Sequence, residues 1–166
     1  MGTGGLFLRK LRAKVAAEPT GFVWVQEGKL AGSGYPASKS QVEWLVKAGI
    51  NSILTLTVEP LPADYTGGLD VVTAHVAMQD HEPPSLDALD RAVDFVEGQL
   101  AARRVVLVHC LAGEGRTGCV LAAYLIKTKG LDADAAMAEI RKAKSQFVEG
   151  RQEIAVRDFS AQMPGS

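Results

Sequence analysis

Short runs of consecutive apolar residues alternate along this chain with longer stretches in which apolar residues return every third or fourth position. The runs at 22–25, 50–57, 71–76 and 105–108 are brief and rich in β-branched residues, the pattern of strands that pack on a pleated, buried surface. The first run and Leu30-Ala31 flank Glu27-Gly28-Lys29, which predicts a small hairpin, and Gly32, Ser33, Gly34, Tyr35 and Pro36 then read as a loop. Ser40 with Glu43 has capping-box spacing beside Val42, Leu45 and Val46, and Gly49 marks the end of that helix. A loop through Pro60, Pro62, Gly67 and Gly68 separates the second and third runs.

After the third run, Ser85 predicts the cap of a long helix that shows Leu86, Leu89, Val93, Val96 and Leu100 on one face. The run at 105–108 lacks polar alternation, as a central parallel strand covered on both faces requires. Further helices are predicted over 117–129, closed by Gly130, from Asp132 to about 144, and over roughly 150–162. Strands alternating with helices predict an α/β fold: a single domain with a mostly parallel central sheet of about four to five strands, flanked by helices.

Composition narrows the function classes. A chain of 166 residues is the size of one ordinary domain, and 47% hydrophobic with 22% charged residues excludes general disorder. Eighteen Lys+Arg against nineteen Asp+Glu leave a net charge of -1, so no whole-domain basic footprint for nucleic acid exists. No apolar run approaches the ~18 residues of a membrane span. The two cysteines, Cys110 and Cys119, are too few for a disulfide-dense secreted domain and form no CxxC pair for zinc. Leu6-Phe7-Leu8 is interrupted by Arg9-Lys10, leaving no signal-peptide core, so the expected location is the cytoplasm. Residues 1–20 stand apart: Leu6, Phe7, Leu11 and Val15 recur at near-helical spacing among Arg9, Lys10, Arg12 and Lys14. They read as a short helix or arm docked on a domain at 21–166, with a membrane-surface helix as the competing reading.

The candidate chemistry lies in His109-Cys110-Leu111-Ala112-Gly113-Glu114-Gly115-Arg116-Thr117-Gly118, between the central strand and a helix N-terminus. Open α/β folds put their ligands at that end of the sheet. Such a loop can turn successive backbone N–H groups into one cavity, and the helix dipole behind them favours an anion there. The amides favour the Cys110 thiolate, and Arg116 offers a planar fork matched to two phosphate oxygens. A nucleophile, an amide cradle formed by residues 111–116 and a bidentate clamp are equipment for phosphoryl transfer through a cysteinyl-phosphate. A Walker loop needs Lys where Arg116 stands and Gly where Cys110 stands, so that reading fails. Cys119 reads as core packing, with a protective disulfide to Cys110 as the alternative.

These ten residues match the HCxxGxxR[ST]G active-site loop of the cysteine-dependent protein tyrosine phosphatases. The chain from about Phe22 to Phe159 resembles the small, catalytic-domain-only dual-specificity phosphatases of archaea and animals. The resemblance implies Cys110 as nucleophile, Arg116 as phosphate clamp, Thr117 as a hydroxyl easing thiolate departure, and His109 behind the loop, orienting it. Leu111, Ala112, Gly113, Glu114 and Gly115 form the phosphate-binding loop with Arg116. The family's general acid is an Asp about thirty residues upstream of the Cys, on a loop with following prolines. Asp80, ahead of Pro83 and Pro84, fits that place; Glu82 and Asp64 are the rivals. Relatives position the hydrolytic water with a polar residue after the penultimate helix, and here Glu149 and Gln152 are both candidates.

Loop residues Leu111, Ala112 and Glu114 carry no positive charge, and an acidic Glu114 opposes a polyanion. The expected substrate is therefore a phosphorylated protein or peptide, phosphotyrosine ahead of phosphoserine and phosphothreonine. A phosphoinositide or an RNA or nucleotide 5'-phosphate ranks below it. No cofactor is implied, and His75, His81 and His109 have no metal-ligand spacing. No nucleic-acid or membrane partner is expected, and a monomer is. Retention of both Cys110 and Asp80 argues against a catalytically dead phospho-binding module, and the position of Cys110 argues against an arsenate-reductase type of loop.

Overall fold

The apolar run Val106–His109 (β5) forms the middle of a five-stranded sheet in the computed structural model, which describes residues 17–165. The order is β1-β2-β5-β3-β4, with β1 at Val23–Gln26, β2 at Leu30–Ser33, β3 at Ser52–Thr55 and β4 at Val72–His75. β1 pairs antiparallel with β2 through the predicted hairpin, and every other neighbouring pair is parallel. The inner strands β2, β3 and β5 are buried throughout, which is why their sequences show no polar alternation. β4 is an edge, and its side chains alternate between half-buried and exposed.

Helices cover both faces: α1 Lys39–Lys47, α2 Ala63–Thr66, α3 Leu86–Ala101, α4 Gly115–Lys129, α5 Ala133–Arg141 and α6 Glu153–Ala161, with a 3-10 turn at Gly150–Gln152. The period of two along each strand sorts the core. Ala31, Ile53 and Leu107 pack with Val42 and Leu45 of α1, whereas Leu30, Leu54, Val106 and Val108 pack with α3, α4 and α6. α4 is buried along most of its length, so its N-terminus is fixed by packing on all sides. Register then lines up the carboxyl ends of three strands, because His109 stands opposite Ser33 on one side and Thr55 on the other.

Several expected boundaries shift. The cap of α1 is Ser38, not Ser40: Ser38 is extended and its hydroxyl accepts from the Gln41 amide at 3.3 Å, while Ser40 is exposed inside the helix. α4 begins at Gly115 rather than 117, because the Glu114 carbonyl accepts from Gly118 and closes the first turn there. Arg116 therefore belongs to the helix and not to the loop. α5 stops at Arg141, short of 144, and the helix expected over 150–162 is split into the 3-10 turn and α6. α2 is a single turn inside the Pro/Gly segment that the sequence showed only as loop. The reading of the N-terminal segment falls, for residues 1–16, outside the described residues.

Candidate active site

The site is built where β5 ends and α4 begins. Across a trans peptide the C=O of one residue and the N–H of the next point in opposite directions. The carbonyls of this connection are held from outside it. Cys110 O accepts from His109 Nδ1 at 3.3 Å, Leu111 O from the Tyr35 amide at 3.0 Å, and Gly113 O from Lys144 Nζ at 3.1 Å. Glu114 O accepts from the amides of Gly118 at 2.9 Å and Val148 at 3.3 Å. The amides of Leu111, Ala112, Glu114 and Gly115 are thereby turned the other way, and among the described residues none of them donates to a protein acceptor. Ahead of a long buried helix, such a curl of amides is an anion cradle. Gly113 makes it possible: its φ is 72°, and a Cβ there would sit 2.3 Å from the Ser33 carbonyl carbon.

Cys110 opens the loop. Its side chain is only 2% exposed, enclosed between the end of β5 and the first turn of α4. Thr117 Oγ1 donates to Cys110 Sγ at 3.1 Å, so a hydroxyl is already directed at the sulfur. His109 lies directly behind, fully buried. Its Nδ1 faces a carbonyl, which can only accept, so the proton is assigned to Nδ1 and Nε2 accepts from Thr55 Oγ1 at 2.8 Å. Burial pushes His109 down from 6.5 to about 4, opposed by the bond to the Cys110 carbonyl and assisted by the charges of Arg116 and His75. The ring is neutral near pH 7 and works as a wedge that holds the Cys110 carbonyl outward.

Arg116, in the first turn of α4, is 3% exposed. Its Nη1 donates to Met78 O at 3.0 Å, its Nη2 lies 3.2 Å from Asp80 Oδ1, and its buried Nε has no hydrogen-bond partner among the described residues. A buried guanidinium N–H left over beside a row of free amides fits an oxyanion and little else. Asp80 itself is 45% exposed, midway along the β4–α3 connection, within reach of both solvent and the Arg116 guanidinium. Asp80 and Arg116, the candidates for acid and clamp, are thus in one place.

The remaining candidates separate. Gln152, fully buried, lies against the loop: a Cβ on Gly115 would fall 2.2 Å from Gln152 Oε1. Its Nε2 donates to Glu82 O at 3.4 Å, tying the β4–α3 connection to the loop between β5 and α4. Glu149 caps the 3-10 turn and lies 3.5 Å from His81 Nδ1, half exposed and turned toward the β4–α3 connection. Glu82 faces Arg151 at 3.6 Å on the outside, and Asp64 is exposed on α2 with no hydrogen bond or ion pair to the loop among the described residues. Leu111 projects from the loop with 60% exposure. Both cysteines are free, and burial pushes the Cys119 thiol up to about 12, with the charges of Cys110 and Glu149 adding to it, consistent with core packing.

Sequence reasoning missed Met78, Tyr35 and Lys144, which hold Arg116 and the loop from other segments. Lys144 was hidden inside an expected helix, and only the early end of α5 frees it to reach Gly113. It also lies 3.9 Å from Glu114 Oε1, so the acidic charge that the sequence set against a polyanion has a cation beside it. Among the described residues no group of His, Cys, Asp and Glu side chains is clustered to hold a metal, and no helix is long and apolar enough to cross a membrane.

Residues 19–163 match the family described as Swiss Army Knife protein, DSP-PTPase phosphatase domain. Dual specificity protein phosphatase 12 of Rattus norvegicus is 32% identical over 114 residues, covering 68% of this chain and 34% of the relative. Phosphatidylglycerophosphate phosphatase PTPMT1 of Arabidopsis thaliana is 27% identical over 114 residues, covering 66% of this chain and 34% of the relative. This chain spans only about a third of the length of each. The crystal structure of Tk-PTP in its active form superposes with a TM-score of 0.77 at 23% identity, covering 86% of this chain and 97% of that one, a likeness of fold.

Proposed function

We propose that this chain, which belongs to the DSP-PTPase phosphatase domain family, is a phosphoric monoester hydrolase that acts on phosphotyrosine in proteins or peptides through a cysteinyl-phosphate. The observation that carries the reading is the unpartnered, buried Arg116 Nε beside amides without acceptors, on the loop that begins with a thiol. In the first step the Cys110 sulfur attacks phosphorus, the ester P–O bond breaks, and Asp80 gives its proton to the departing oxygen. The cradle and Arg116 bind the equatorial oxygens as charge spreads over them. In the second step water attacks phosphorus, Asp80 takes its proton, and the S–P bond breaks with the Thr117 hydroxyl donating to the sulfur. Gln152, against Gly115 and the acid loop, is placed by this reading as the group that orients the water, and Glu149 as a support of the acid loop.

Support for a protein substrate comes from the relative named a dual specificity protein phosphatase and from the exposed Leu111, an apolar lip for an aromatic ring. A second reading, a non-protein phosphate monoester, is favoured by one observation: Lys144 beside Glu114 offsets the charge that would oppose a polyanion. The relative named phosphatidylglycerophosphate phosphatase points the same way. A panel of phosphopeptides and phosphoinositides, run with wild type and Cys110→Ser, decides between them. The protein reading predicts the higher kcat/KM on phosphotyrosine peptides and their retention by Cys110→Ser; a higher kcat/KM on phosphoinositides overturns it. We further propose that the catalytic unit runs from 21 to the C-terminus of this chain, that it acts as a monomer, and that it works in the cytoplasm.

A further inference from the structure

We propose that Lys144 is a positioning residue of the phosphate-cradling loop, aiming the Glu114 amide at the bound oxyanion; this rests on the function proposed above. The side chain is an almost enclosed cation, 12% exposed, that reaches from the segment after α5 to the back of the loop. Its ammonium donates to Gly113 O at 3.1 Å and lies 3.9 Å from the Glu114 carboxylate and 5.9 Å above the Phe147 ring. Holding an ammonium in so little water is unfavourable unless its donors are used, and two of these neighbours are oxygens of the loop itself.

The consequence follows from peptide geometry. The Gly113 carbonyl and the Glu114 N–H belong to one planar unit and point oppositely, so a donor that pulls the carbonyl outward turns the N–H inward. Gly113, at φ 72°, has no Cβ to fix that plane, and among the described residues no other donor reaches its carbonyl. Of the other loop carbonyls, those of Cys110 and Leu111 are held by His109 Nδ1 and the Tyr35 amide, on the sheet side, and that of Glu114 by the backbone amides of Gly118 and Val148. The Gly113 peptide alone is held by a side chain from the helical side. The Lys144 segment is itself fixed, because Arg141 donates from Nε to Phe147 O at 2.9 Å and from Nη2 to Val148 O at 3.0 Å, and Val148 keeps a positive φ of 64°. A fixed segment, an enclosed ammonium and a glycine peptide free to flip make a clamp whose removal loosens the cradle without removing any group that touches phosphate.

The test compares Lys144→Met, which keeps the packing stem and drops the donor, with Lys144→Arg, which keeps donor and charge. Turnover of p-nitrophenyl phosphate, inhibition by orthovanadate and thermal midpoint are measured together. Expected is a fall in kcat/KM of ~10–100-fold for Lys144→Met, somewhat less than deletion of an oxyanion donor, with a parallel rise in the vanadate Ki and recovery by Lys144→Arg. A folded Lys144→Met with both quantities within twofold of wild type overturns the inference, as does an equal loss in Lys144→Arg. Should Lys144→Met not fold, Lys144→Gln, shorter and neutral, is read by the same two criteria. A wild type that binds vanadate but turns over no ester sinks the proposed function, and vanadate affinities across the variants still decide this inference.

Discussion

The carboxylate of Asp80 rests 3.2 Å from Nη2 of Arg116, so the proposed acid and the proposed clamp form an ion pair. An incoming phosphate must compete with Asp80 for that guanidinium edge. Asp80→Asn is therefore expected to have two opposite effects. It lowers kcat on p-nitrophenyl phosphate by ~10²–10⁴-fold and flattens the basic limb of the pH profile, because the proton donor is gone. It also strengthens inhibition by inorganic phosphate, because the competing charge is gone. Turnover equal to wild type would show that another group is the acid.

Thr117 Oγ1 donates to Cys110 Sγ at 3.1 Å, a bond whose worth rises when the sulfur leaves as an anion. Thr117→Val keeps the shape and removes the donor. A hydrogen bond to a charged group contributes roughly 1.5–3 kcal/mol, which is about a tenfold to hundredfold slowing of dephosphorylation. Stopped-flow traces should show a burst of nitrophenol followed by a slower steady state; a uniform slowing without a burst would place the hydroxyl elsewhere in the cycle. Cys110→Ser should show neither phase while keeping its fold by circular dichroism.

The two water-positioning candidates differ in place, and so should their variants. Gln152 is buried against Gly115, whereas Glu149 faces His81 in partial solvent. Gln152→Ala should let phosphoenzyme accumulate, seen as an added phosphate in intact-mass spectra of quenched reactions. Glu149→Ala should leave the second step within about threefold, since an exposed pair with histidine is weak. Accumulation in Glu149→Ala alone would reverse the assignment.

Burial of His109 makes stability fall in acid. Its value drops from 6.5 to about 4 on folding, so between those pH values the unfolded chain takes up a proton that the folded chain refuses. The penalty is absent above pH 6.5, grows as pH falls, and is complete below about 4. At pH 5 it amounts to about 2 kcal/mol on the scale of 1.36 kcal/mol per unit. Urea unfolding at pH 7.5 and 5 should show that loss in wild type and a smaller one in His109→Asn, which keeps an N–H near Cys110 O without a titrating ring. Equal losses would mean that other groups carry the acid sensitivity.

Much of the site was legible before any coordinates. Cys110, Arg116 and Thr117 lie within one strand–loop–helix unit, where a few residues of chain leave little freedom, so spacing alone brings them together. Asp80 was a candidate from the resemblance, thirty residues upstream, and only the fold brings it to 3.2 Å from Arg116 Nη2. Ser38 was missed in favour of Ser40 because both precede the same apolar positions, and only the turn geometry chooses between them. The choice between Glu149 and Gln152 could not be made from spacing, since the two are one 3-10 turn apart and linked as a capping box, and only the packing of that turn buries Gln152 while leaving Glu149 half exposed.

The sequence by itself determined the alternation of strands and long helices and the loop motif between β5 and α4, because periodicity, caps and motif spacing are short-range properties of a polymer. Tertiary structure alone decided what holds that chemistry in shape. Met78 on Arg116, Tyr35 and Lys144 on the loop carbonyls, and Thr55 on His109 join residues far apart in the chain. Which distant donor meets which carbonyl depends on where α5 stops, how β2 and β3 register against β5, and how closely glycines let backbones approach. Those are outcomes of packing the whole domain, and no local window of sequence contains them.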